Sequence, residues 1–204
     1  MLKKGLAGGV ILFSFLLISC HSHYSPKPRG YFRIDLPKHA YRSFDSTFPY
    51  RFSYPVYAKI SNDPLSPEQK YWMDIHFPQF KATLHISYRT IHHNLRKYLE
   101  DSRKMVVKHI PKANAIHDSL IIDPKRNVFG MAYDIEGSGV ASPYQFILTD
   151  SIRHFLRGSL YFRVEPNNDS LAPVIRFIKQ DIRHFIQTLQ WENPGNKSTA
   201  KIQK

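Results

Sequence analysis

The chain has 204 residues, and its 29 Lys and Arg outnumber 16 Asp and Glu to give a formal charge of +13. That length admits one domain with a sizeable core, and a single cysteine excludes an internal disulfide framework. The basic residues are scattered rather than clustered, which argues against nucleic acid as partner and leaves anionic lipid, an acidic protein surface or plain solubility.

Lys3 and Lys4 precede an apolar run from Leu6 to Ile18, softened by Gly8 and Gly9 and too short for a stable membrane span. Residues 1–19 therefore read as a secretory signal. Leu17-Ile18-Ser19-Cys20 resembles a bacterial lipobox. That resemblance implies diacylglyceryl transfer to the Cys20 thiol, cleavage before Cys20 and acylation of the new amino terminus; ordinary cleavage leaving a free thiol is the alternative. Loss of Lys3 and Lys4 with the signal lowers the charge from +13 to +11. Two or three acyl chains hold a protein on a bilayer almost permanently, at about 0.8 kcal/mol per buried methylene. Residues 20–30 carry two prolines and a glycine without apolar periodicity, and read as a flexible linker reaching about 30 Å. No acidic residue follows Cys20 directly, which favours a periplasm-facing position over surface export.

Residues 31–191 read as a single domain. Tyr50, Phe52 and Tyr54 alternate, and Pro55 marks an edge or a strand end. Residues 61–67 read as a loop. Met73, Ile75 and Phe77 share one strand face, as do Ala82, Leu84, Ile86 and Tyr88, with Pro78 at the hairpin between them. A helix is predicted over 92–109, with Leu95, Tyr98, Leu99, Ser102, Met105, Val106 and His109 in one stripe, and Pro111 stops it. Four strands follow at 116–122, 128–135, 144–149 and 155–164, the last two joined by a tight turn at Asp150–His154. A second helix runs from a Ser170 cap, with Pro173 in its first turn, to about Trp191. Val174, Ile175, Ile178, Ile182, Phe185, Ile186 and Leu189 form its buried face, and Asp181 at the edge of that arc either snorkels to solvent or, the preferred reading, pairs with a basic residue from the sheet. Residues 192–204 read as a disordered polar tail. Short connections and two one-sided helices predict an α+β fold, an antiparallel sheet with two long amphipathic helices packed on it. The element order is similar to that of Mog1/PsbP-like domains.

Catalytic signatures are missing. Gly137-Ser138-Gly139 lacks nucleophile-elbow spacing and reads as a turn. There is no phosphate loop, dinucleotide fingerprint or zinc-helix motif, so no cofactor or metal is expected. His92 and His93 are neighbours that point to different sides of a predicted helix, His21 and His23 lie in the linker, and His109 reads as a core histidine. Asp150, Ser151 and His154 lie within five residues, which suits turn and capping chemistry better than acyl transfer. Arg153, Arg157, Arg163 and Arg176 are more suggestive. Arg157 and Arg163 share the polar face of one strand, either a solvated face or a binding face for an anionic partner.

Longer strings carry a family resemblance: PKPRGYFRIDLP at 26–37, FPYRFSYP at 48–55, WMDIHFP at 72–78, KHIPKANAI at 108–116, SPYQFILTDSIRHFLRGSLYF at 142–162 and PNNDSLAPVIRFIKQDI at 166–182. Together with the lipoprotein signal they resemble the gliding-motility lipoprotein GldD family of the Bacteroidota over about residues 24–191. The resemblance implies a non-enzymatic, lipid-anchored envelope protein needed for gliding motility and the associated type IX secretion machinery, with other envelope components of that apparatus as partners. It brings no catalytic residue or cofactor. Its recurring strings mark contact or structural positions at Arg29, Gly30 and Tyr31, at Asp150, Arg157 and Gly158, and at Asn168 and Asp169 with Ser170. Gly158 in mid-strand suggests a bulge or the close approach of another chain. The alternative reading is an envelope small-molecule binder or hydrolase that supports these processes indirectly.

Overall fold

A computed structural model describes residues 34–64 and 66–192. The signal, Cys20, the linker, and residues 193–204 of the expected tail lie outside those bounds. Among the described residues no helix is long and apolar enough to cross a membrane.

Among the described residues, ten strands and two α-helices form the fold. Strands β1 (Tyr41–Phe44), β2 (Tyr50–Pro55), β3 (Lys59–Asn62), β4 (Met73–Phe77) and β5 (Ala82–Thr90) precede helix α1 (Leu95–Val107). Then come β6 (Ala115–Asp123), β7 (Val128–Glu136), β8 (Tyr144–Thr149) and β9 (His154–Phe162), helix α2 (Asn168–Thr188) and a final short strand, β10 (Gln190–Trp191). The main sheet has seven strands in the order β3-β4-β5-β9-β8-β7-β6, and a second sheet has the order β1-β2-β10. Every pairing is antiparallel. The fold is α+β, with two sheets where the sequence pattern suggested one.

The main sheet is two meanders, β3–β5 and β6–β9, joined along β5 and β9. Chain leaving β5 must reach β6 at the far edge, four strand spacings or about 19 Å away. The 13 residues of α1 rise about 20 Å. The helix is therefore long enough to carry the chain across one face of the sheet, and it packs on β8 and β9.

The opposite face holds the main core. Ile75, Leu84, Leu160 and Phe146 pack there against Ile178, Ile182 and Phe185 of α2 and against Tyr50 and Phe52 of β2. Much of the aromatic content is spent here, with Phe185 centred 4.3 Å from Phe52 and 5.7 Å from Phe146. Every apolar residue expected on the buried face of α2 is buried.

Several local readings change. Residues 61–62 belong to β3, paired with Met73 and Asp74, so the loop starts later. Helix α1 begins at Leu95, which leaves His92 and His93 in the preceding bend. Its contact seam is narrow: Leu95, Tyr98 and Val106 meet the sheet, whereas Leu99 and Met105 are 36% and 43% exposed on either flank. The N-cap of α2 is Asn167, whose side chain accepts from the Ser170 amide at 3.4 Å, so Ser170 is the capped residue and Pro173 falls in the second turn. The helix ends at Thr188. Arg126, paired with Asp123, donates to the carbonyls of Ile186 and Leu189, and Leu189 turns extended so that β10 can pair with β2.

Candidate functional site

The face of the main sheet toward α1 is apolar at β7, with Met131 and Ile135, but polar at β4 and β5. Strand alternation sets this, because residues facing the core leave Asp74, His76, Thr83, His85 and Ser87 on the other side. Register then lines up Asp74, His85, Ser159 and Gln145 as one row across β4, β5, β9 and β8. Arg157 stands in the next row beside Ser87 and Ile147.

Asp74 is buried, and its Oδ1 lies 2.6 Å from His85 Nδ1, which orients the imidazole. Ser159 is 2% exposed and Gln145 is 1% exposed, yet Ser159 Oγ and Gln145 Nε2 have no hydrogen-bond partner. Arg157 Nη2 donates to Gln145 Oε1 at 2.6 Å. Burial pulls the Arg157 pKa below the usual guanidinium value, with Tyr161 opposing the shift. These groups lie in and under a groove of about 570 Å³ between α1 and the sheet, lined among others by Trp72, His85, Tyr98, Phe155, Arg157, Ser159 and Tyr161. Arg89 lies over the Trp72 ring, 5.0 Å from its centre.

The order Asp74, His85, Ser159 has the chemistry of a nucleophilic triad, but its last link is unmade. Ser159 Oγ bonds to nothing, so His85 does not hold the hydroxyl.

Of the residues singled out in sequence, only Arg157 enters this groove. Its face of β9 lies toward α1, with Phe155 and Ser159 buried, Arg157 partly exposed and Tyr161 36% exposed. Arg163 lies beyond the end of β9 and lines a separate hollow with Lys59, His76 and Lys81. Arg176 lines a third, beside Asp134 and Lys179. Asp150 serves the β8–β9 turn, where Oδ1 accepts from the amides of Ile152, Arg153 and His154 while Ser151 adopts φ +67°. His154 points elsewhere, 2.8 Å from the Tyr88 hydroxyl and stacked on Trp191. Gly158 sits in regular register without a bulge. The group that approaches it is the Phe146 ring of the neighbouring strand, which a Cβ there would meet at 2.2 Å.

Asn168 joins the start of α2 to the 137–140 turn, donating from Nδ2 to the carbonyls of Gly137 and Val140. Asp169 lies in the first helical turn, where a negative charge favours the helix. His109 is half-buried, and burial followed by the Arg157 charge lowers its pKa. Cys20, Arg29, Gly30 and Tyr31 lie outside the described residues. Asp181 is 1% exposed and pairs with no sheet cation; it meets His39, ahead of β1, and the hydroxyls of Tyr41 and Tyr57. Sequence reasoning passed over Asp74, His85, Gln145 and Ser159, although the polar alternation of residues 83, 85 and 87 was a usable signal.

The family model for the gliding motility lipoprotein GldD matches residues 21–191. The chain belongs to the GldD family. The matched span runs from the residue after Cys20 through β10 and includes the whole groove. No curated protein matches the chain. Among solved structures, the cyanobacterial PsbP protein CyanoP from Synechocystis sp. PCC 6803 is similar at 10% identity, with a TM-score of 0.45, covering 78% of this chain and 97% of that one. GldD-family membership makes this a lipoprotein family chain associated with gliding motility.

Proposed function

We propose that this protein is a lipid-anchored, non-enzymatic accessory of the gliding apparatus and of the type IX secretion machinery associated with it, facing the periplasm. The match to the GldD family across residues 21–191, directly after Cys20, carries this reading. The fold supplies a mechanical reason for it. The chain entering from the anchor side is held to α2 through His39 and Tyr41, both bonded to Asp181. Load on the acyl chains would then pass into the core helix rather than peel away an end strand. The unbonded Ser159 hydroxyl favours positioning or binding over hydrolysis.

The test is complementation of a deletion strain with wild-type protein or Cys20→Ala, scoring spreading and secreted type IX cargo together. Restoration by the lipidated form alone is expected. Full rescue by Cys20→Ala would overturn the anchor requirement, and unchanged cargo export in the deletion strain would overturn the secretion role.

A further inference from the structure

We infer that the groove beneath α1 is a binding site for a small organic carboxylate whose body is a ring or other flat apolar group. Gln145 and Arg157 fix the donor pattern. A guanidinium only donates, so the Gln145 atom facing it must be the carbonyl oxygen, and the amide Nε2 is the group left without a partner. Ser159 Oγ is the neighbouring hydroxyl, also unpartnered and 2% exposed. One Arg157 N–H goes to Gln145, and the remainder of its planar fork meets no carboxylate among the described residues. Two adjacent buried groups, Gln145 Nε2 and Ser159 Oγ, therefore lack a partner, and the partly buried Arg157 guanidinium stands beside them.

Buried donors of this kind are costly to leave unmade, so the complementary ligand brings oxygen acceptors. The local charge calls for an anion. Asp63 and Asp101 line the groove, and Arg89 and Lys97 match them in number, which leaves Arg157 as the cation in excess. Asp74, bonded to His85, lies beneath the groove and is not part of its lining. A planar carboxylate fits a planar guanidinium with two parallel hydrogen bonds. Trp72, Phe155 and Tyr161 line the rest of the groove and suit a flat or apolar body, while about 570 Å³ admits a small molecule.

The test uses the full lipidated chain in detergent, titrated with phenylacetate, its neutral isostere phenylacetamide, and inorganic phosphate. Binding is read by calorimetry and by fluorescence of Trp72, with Trp191 removed by Trp191→Phe in a parallel sample. Saturable phenylacetate binding is expected, at least tenfold weaker for phenylacetamide and for Arg157→Gln, and unchanged in Arg163→Gln. Arg157→Lys keeps the charge but loses the fork, and should bind several-fold more weakly. If Arg157→Gln does not fold, Ser159→Ala should still weaken binding several-fold. No saturable binding, equal affinity for acid and amide, or tighter binding of inorganic phosphate would each overturn the assignment. The measurement is made on purified protein, so its failure is separate from failure of the anchored secretion role.

Discussion

Tyr57 donates its phenolic hydrogen to Asp181 Oδ2 across 2.6 Å, joining the segment after β2 to the middle of α2. Tyr41 donates to the other carboxylate oxygen at 3.1 Å, and His39 Nδ1 lies 2.7 Å from that same oxygen. A carboxylate buried among apolar neighbours is thereby surrounded by donors, which offsets the loss of water. Replacing Asp181 with Ala strands all three groups. A loss of about 2–3 kcal/mol is expected in urea denaturation. Tyr57→Phe, which leaves the carboxylate two other donors, should cost less.

The same cluster gives an alkaline signature. Burial first, then the Asp181 charge, pushes the Tyr41 pKa up to about 12 from 10.0, and burial with the Asp181 hydrogen bond raises Tyr57 further. The folded protein thus holds these phenolic protons more tightly than the unfolded chain does. Their stabilisation is complete below pH 10 and is lost as pH rises from 10 toward 12. Urea midpoints across that window should fall less steeply in Tyr41→Phe than in wild type.

His154 produces the opposite slope in acid. Burial is the leading cause lowering its pKa, partly opposed by Asp150, so the folded state favours the neutral ring. Below the ordinary value of 6.5 the unfolded chain takes up the proton first, and stability falls as pH drops from 7 toward 5. His109, lowered mainly by burial, adds to the same trend. Replacing His154 with Phe should remove part of that slope in urea midpoints, whereas an unaltered slope would place its origin elsewhere.

Gly158 and Phe146 form a size-matched pair. A methyl group at Gly158 would sit 2.2 Å from the Phe146 ring, so Gly158→Ala should destabilise by about 1–3 kcal/mol. Phe146→Leu frees the space at its own cost. The double variant should therefore be more stable than the sum of the two single losses predicts, a coupling that thermal or urea unfolding measures directly.

Asn168 fastens the start of α2 to the 137–140 turn. Its amide satisfies two carbonyls of the 137–140 turn, and Asn168→Ala should cost about 1–3 kcal/mol of stability. Phenylacetate affinity, measured below the unfolding transition, should stay at the wild-type value. A loss of binding in a fully folded Asn168→Ala protein would tie this turn to the groove instead.

Alternation and helical spacing determined most of the secondary structure. The β8 limits at Tyr144 and Thr149 match the predicted strand, the Asp150 turn follows from side-chain oxygens that bond nearby amides, and the apolar stripe of α2 is buried as its periodicity requires. Those features depend on neighbours a few residues apart. The long strings also sufficed for the family. What covers each face was decided only in three dimensions. A period of two separates Arg157 from Leu156 and Leu160, but it contains nothing about α1 crossing above Arg157. Asp181 finds its partners 124 to 142 residues away, too far for any local pattern to name them. The groove depends on the same kind of distance. Asp74, His85, Ser159 and Gln145 form a row only because β5 pairs with β9, and that pairing arises from where the two meanders bury their apolar sides. Local spacing selects the face a residue occupies; long-range packing selects what that face meets.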